Sequence, residues 1–196
     1  MTATGDVTAT KIVEAGRQLI MRRGYSGFSY ADISDAIHIR KPSIHHHFPS
    51  KADLTAAVVG QYREQFDADM AALQASDADA LTQLRAYIGY WQRCIADDSA
   101  PFCVAGMLGA ELPVLPDDVA QQVRAHFESI ATWLENVLDA GSQSEQFHLN
   151  GSPASEAAML VSLVYGAMLA ARVHGNAKLF KQVTDDAVAR LVRSQD

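Results

Sequence analysis

The sequence predicts an all-α fold of about nine helices. Val, Ile and Thr never settle into a sustained period-two alternation, so no half-buried strand is visible. Glycine and proline punctuate the chain at roughly helix-length intervals. Apolar residues recur at steps of three and four from the first segment on, as in Ile12, Ala15, Leu19 and Ile20. Hydrophobic residues make up 48% of 196, enough for a core that needs no disulfide or metal as a staple.

The first helix is expected over residues 8–23, ended by Gly24 as a C-cap. Ser29 can N-cap a short second helix, residues 30–37. A break follows at 38–40, and Pro42 opens a very short third helix, where its missing N–H costs nothing. Pro49 and Ser50 close that helix and cap a long fourth one, 51–74. "ASDAD" leads into a fifth helix, 80–96, which "DDSAP" breaks. A short sixth helix covers 102–111 and stops at "LPVLPDD". Asp117 and Asp118 load the first turn of the seventh, 117–140, favourably for its dipole. "GSQSEQFHLNGSP" is expected to be loop, Ser152 caps the eighth helix, 153–174, and Gly175-Asn176 separates it from a ninth ending near 192.

Charge divides the chain more sharply than composition does. The net charge is −7, yet residues 1–51 hold seven Lys/Arg against four acids, and the remainder is strongly acidic. Such a split fits a head that faces a polyanion and a body that stays off it. Within the head, two short helices separated by a tight break form a helix-turn-helix, whose second helix enters the DNA major groove. Ile33, Ala36, Ile39, Ile44 and Phe48 can close onto Leu19, Ile20 and Phe28 as a small core. Arg40, Lys41, Ser43, His45 and His46 are then left facing outward. The run His45-His46-His47 does not suit a metal: neighbours on a helix point about 100° apart, and no Cys, Asp or Glu joins them at ligand spacing. Neither a metal nor a cofactor is expected.

The stretches "IVEAGRQLIMRRGYSGFSYADISDAIHI" and "KPSIHHHFPSKADL", with "HFPSK" the most specific part, resemble the DNA-binding domain of TetR-type transcriptional repressors. The resemblance implies an N-terminal three-helix helix-turn-helix DNA-binding domain, residues 1–50, and a C-terminal helical ligand-binding and dimerisation domain, residues 51–196. It implies a homodimer on a double-stranded DNA operator, released when the body binds a small-molecule effector. Residue by residue, it implies that Arg40, Lys41, Pro42 and Ser43 approach bases and adjoining phosphates. His45 takes a position usually held by a phosphate-contacting Tyr, and His46 a variable position that reaches DNA. Lys51 corresponds to a phosphate contact at a helix N-terminus, and Ser29 and Tyr30 to backbone contacts at the second-helix entry. His38 departs from the pattern, standing where the turn usually has Gly, which demands a positive φ of a residue with a side chain.

In the body, Tyr87, Trp91, Phe102, Cys103, Met107, His126, Phe127, Trp133, Tyr165 and Met168 are the candidate lining of an effector pocket, although aromatic and Met residues at helical spacing also serve plainly as core. Cys103, near a helix N-terminus, is either a buried inert thiol or a sensor of electrophiles or oxidants. The segment "SEAAMLVSLVYGAMLAAR" is apolar nearly all round, so one face can pack inside and another on a partner copy. Its most apolar run, residues 157–173, is at the short limit for a membrane span and is expected as a buried helix, with no membrane as partner. No G-x-S-x-G, phosphate-binding Gly loop or H-E-x-x-H occurs, so a transcription regulator is expected and a helical enzyme is the weaker alternative. The start of the chain has no charged-then-apolar leader pattern, and two free thiols suit a reducing cytoplasm.

Overall fold

The structure, a computed structural model, describes residues 3–192. Among these residues lie nine α-helices and no strand: α1 (Ala3–Arg23), α2 (Tyr30–Ile37), α3 (Lys41–His47), α4 (Lys51–Ala75), α5 (Ala80–Ala96), α6 (Val104–Ala110), α7 (Asp117–Gln143), α8 (Pro153–His174) and α9 (Ala177–Leu191). A 3₁₀ turn, Leu112–Val114, follows α6. The described chain forms two compact units that are not successive in sequence. One comprises the chain up to Gln65 together with Cys103–His126; the other comprises Phe66–Phe102 and the chain from Phe127 on. Both α4 and α7 therefore contribute to each unit.

In the first unit α1 packs against α2, α3 and α6. Ile12, Ile20, Ile33, Ile44 and Leu54 are wholly buried, and Phe28 nearly so. Leu19, Ile39 and Phe48 are only partly covered, and Ala36 is exposed rather than in this core. The reason is geometric: with Ile33 turned fully inward, Ala36 falls beside Ile37 on the rim of a 560 Å³ surface groove that Ala15 and Leu19 line from α1.

The tight break between α2 and α3 forms as the sequence requires. His38 is the C-cap of α2 with φ 55° and ψ 41°, in the left-handed region that favours glycine. Ser34 Oγ donates to Ile39 O at 2.6 Å and fixes the turn. A non-glycine residue held there costs about 1 kcal/mol. His38→Gly is therefore expected to raise the unfolding free energy by about 1 kcal/mol, measured by urea denaturation; unchanged or lowered stability would show that the imidazole is itself a stabilising contact.

In the second unit α8 and α5 both pack on α9. Leu84, Leu134, Leu138, Phe147 and Phe180 form its buried centre. The sequence placed the end of α7 at Ala140, but the helix continues to Gln143. Its stop is not the glycine: Glu145 takes the left-handed conformation with φ 60°, and the N–H groups of Gln146 and Phe147 both donate to Gly141 O. Gly141 is needed for another reason, because the Phe147 ring occupies the space a Cβ would take. The sixth helix begins later than expected, at Val104, which makes Cys103 its N-cap residue in extended backbone. Ser152 caps α8 by accepting from Ser155 N, and Gly175 ends it with φ 57°. By length and composition α8 could cross a membrane, but Leu160, Val164, Ala167, Met168 and Ala171 are buried within the unit. Its opposite side leaves Met159, Leu169 and Val173 exposed.

Candidate nucleic-acid interface and effector residues

The helix-turn-helix is built by two reciprocal caps. At the start of α2, Ser29 Oγ accepts from the Ala31 N–H at 3.2 Å, while Asp32 Oδ2 accepts from Ser29 N at 2.8 Å. Arg23 holds the same carboxylate at 2.9 Å. At the start of α4, Asp53 accepts from Ser50 N at 2.8 Å, and Ser50 Oγ accepts from Asp53 N at 3.1 Å. These capping boxes fix both flanks of α3. Between them Ile44 is wholly buried and anchors the helix from below. Arg40, Lys41, Pro42, His45 and His46 are exposed and Ser43 half-exposed on the rest of its surface. Arg40 caps α3 through its extended backbone alone, with no side-chain cap bond, so its guanidinium stays outside the fold. Neither Arg40 nor Lys41 forms an ion pair among the described residues.

His45 is oriented rather than loose. Its Nδ1 lies 3.1 Å from Pro49 O, and its ring stands edge-on to Tyr30 at 4.8 Å. A carbonyl only accepts, so Nδ1 carries the proton and Nε2 points away. His46 and His47 stack edge-on at 5.3 Å, with His47 the more covered of the two.

Two residues expected at the DNA surface have inward duties. The Tyr30 ring is buried, and its hydroxyl lies 2.8 Å from Phe48 O and 2.5 Å from Ser50 O, tying α2 to the α3–α4 link. Burial, with Asp53 and Tyr25 nearby, pushes this phenol up to about 12. Lys51 Nζ donates to Phe28 O at 2.7 Å and sits over the rings of Tyr25 and Phe28 at 4.4 and 4.6 Å. Burial lowers its pKa against the opposing pull of Glu111 and Asp32. An ammonium has three donors, so two remain for a phosphate after the Phe28 bond.

Sequence reasoning missed Glu111. It ends α6, yet its carboxylate accepts from Tyr25 N at 2.8 Å, Ser26 N at 2.9 Å and Ser26 Oγ at 2.6 Å. These are orphan donors just past the end of α1, and Gly24, with φ 73°, leaves the space the carboxylate fills. Burial raises the Glu111 pKa, but the bonds from Ser26 and Tyr25 outweigh it and the net shift is downward. No local pattern could announce this, because the partners lie 85 and 86 residues away.

The candidate effector residues are divided between the units. In the first, Cys103 is wholly buried and receives the Tyr62 hydroxyl at 3.5 Å; His126 is 1% exposed with its ring 5.0 Å from that of Tyr62, and Met107 is half-buried. Burial and then the Arg63 charge push His126 down to about 4, so it is neutral at physiological pH. In the second, Tyr87 and Trp133 lie 5.5 Å apart and share Phe66, 6.4 Å from each, a ring sequence reasoning did not include. Trp133 Nε1 is buried without a hydrogen-bond partner. Phe127 pairs with Tyr165 at 4.8 Å, Trp91 with Tyr90 at 5.1 Å, Arg172 lies over Phe102, and Met168 is buried. Among the described residues no group of three or more His, Cys, Asp or Glu could hold a metal ion.

A helix carrying exposed cations, held on both flanks by caps, defines a helix-turn-helix DNA-binding regulator. Comparison with known proteins makes the class specific. Residues 12–58 match the family described as bacterial regulatory proteins, tetR family, and residues 80–186 match the tetracyclin repressor-like C-terminal domain. The chain belongs to the TetR family. It is 46% identical to a TetR-family transcriptional regulator from Agrobacterium tumefaciens, whose crystal structure superposes with a TM-score of 0.94 over 96% of this chain and all of that one. It is 26% identical to the HTH-type transcriptional repressor DhaR of Mycobacterium sp. (strain GP1), over 84% of this chain and 82% of DhaR. The reduced form of Escherichia coli NemR shares the fold, with a TM-score of 0.81 at 19% identity over 96% of this chain and all of that one.

Proposed function

We infer that this DNA-binding regulator is a repressor that grips a near-palindromic operator as a homodimer and lets go when a small effector enters its body. The observation that carries the reading is the α3 surface: cations and small polar donors face solvent on a helix whose buried side is anchored by Ile44. In this reading residues 1–50 bind DNA through Ser29, Arg40, Lys41, Pro42, Ser43, His45 and His46. Lys51 braces the head and lends its remaining donors to a phosphate, and Tyr30 contributes through its backbone N–H. Residues 51–196 hold the effector and the partner copy. The exposed Met159, Leu169 and Val173 on α8 suit a second copy better than water. Two heads would then meet major grooves about 34–36 Å apart. DhaR, named as a repressor, favours repression over activation. The chain acts in the cytoplasm, with neither a membrane nor a catalysed reaction as part of its role.

The test is quantitative binding to duplexes selected by the protein from a random library, with sedimentation in parallel. The reading expects a dimer, an inverted-repeat consensus and a steep fall of affinity with salt. A monomer with no sequence preference would overturn it. A second reading makes Cys103 a covalent sensor, favoured by the Tyr62 hydroxyl held on its sulfur. It expects N-ethylmaleimide to release DNA from the native protein but not from Cys103→Ser; equal release from both ends it.

A further inference from the structure

Arg63, on α4, is a half-buried cation. Its Nε is shielded from solvent and has no hydrogen-bond partner, and no carboxylate pairs with it among the described residues. On α7, in the same unit, Gln122 Oε1 is likewise shielded and without a partner. Gln122 stands one turn before His126, and residues at that spacing share a helix face. His126 feels the Arg63 charge and is held as a neutral imidazole. Tyr62, next to Arg63 in sequence, reaches both neighbours: its ring lies 5.0 Å from that of His126 and its hydroxyl 3.5 Å from Cys103 Sγ. A half-buried cation with a shielded Nε, an orphan amide oxygen and a buried imidazole are thus carried by α4 and α7 within one unit, with wholly buried Val59 and Val119 one turn earlier on each helix.

We propose that these residues bind the effector by its charge: Arg63, with Gln122 and His126, takes the carboxylate of a small monocarboxylic acid whose apolar remainder lies along the valines. The proposal deepens the effector-release reading and rests on it for its regulatory meaning. A carboxylate supplies the acceptor that Arg63 Nε lacks and the opposite charge the site lacks. A carboxylate only accepts, so the amide of Gln122 turned about its axis presents its NH₂ to the ligand. A neutral amide of the same shape matches the hydrogen bonds but not the charge.

The experiment uses the full-length protein with benzoate and hexanoate as probes, benzamide and hexanamide as neutral counterparts, and chloride as an ionic-strength control. Melting shifts and calorimetry report binding, and operator release is followed separately. Benzoate or hexanoate should raise the melting temperature while the matching amide does not, and Arg63→Met should weaken the carboxylate about tenfold or more. Gln122→Leu, which leaves the cation in place, should weaken it severalfold and covers the case in which Arg63→Met fails to fold. Equal shifts from acid and amide, shifts that survive in both variants, or no shift from either acid would overturn the proposal. A protein that binds its operator but ignores carboxylates loses this inference alone. One that binds benzoate through Arg63 but never DNA loses the regulator reading and keeps the site.

Discussion

Replacing Arg40 and Lys41 together by alanine is expected to abolish tight operator binding while leaving the fold intact. Both side chains are exposed and neither forms an ion pair among the described residues, so their removal exposes no buried group. Truncating one side chain that reaches a base costs about 1–3 kcal/mol, and one that reaches a phosphate weakens binding across all sequences. Two such truncations per head amount to about a hundredfold in affinity, and more when both heads of a dimer carry the change. The salt dependence separates the roles. Each phosphate left without its cation lowers the slope of log K against log salt by about 1, whereas a base left unread keeps the slope and relaxes sequence preference. Fluorescence anisotropy at several salt concentrations reads both. An unchanged affinity and slope would mean that α3 does not face DNA.

Glu111→Ala should be the most damaging single change at an outwardly polar position. Its carboxylate accepts three hydrogen bonds, two of them from backbone N–H groups at the end of α1. Bonds to a charged acceptor are worth more than neutral ones. Discounting for partial exposure, the loss is about 2 kcal/mol, or about 5 °C in melting temperature for a chain of this size. The pH dependence carries a definite sign. The folded-state pKa of Glu111 is depressed below 4.5, so its contribution is fully present above the unfolded value and disappears as pH falls through the folded one. The native protein should lose more stability than Glu111→Ala between about pH 5 and acid conditions. Parallel pH curves for the two proteins would show that the carboxylate contributes nothing.

The helix-turn-helix was legible because its signals are local. Ser29 and Asp32 stand at capping-box spacing, as do Ser50 and Asp53, and Pro42 marks the first turn of a helix. His38 could be flagged from the sequence as a residue needing a positive φ, and it has one. The start of α6 and the end of α7 were less legible. One depends on the extended backbone of Cys103, the other on a left-handed Glu145, and neither residue type advertises its conformation. The inward turn of Tyr30 and Lys51 could not be foreseen either. Both are amphipathic side chains at a surface, and only the carbonyls of Phe28, Phe48 and Ser50, brought together by folding, decide where their polar ends go. Glu111, Arg63 and Gln122 share that character: their significance lies in partners that folding supplies, or withholds, across long stretches of chain.

The central claim is that α3 lies in the major groove. Methylation interference on duplexes selected by the protein tests it directly, because N7-methylguanine alters the major groove and N3-methyladenine the minor. The account predicts interference at guanine N7 in two clusters about 10 base pairs, or a multiple of that, apart. Interference confined to adenine N3, or none at any purine within the protected region, would contradict it.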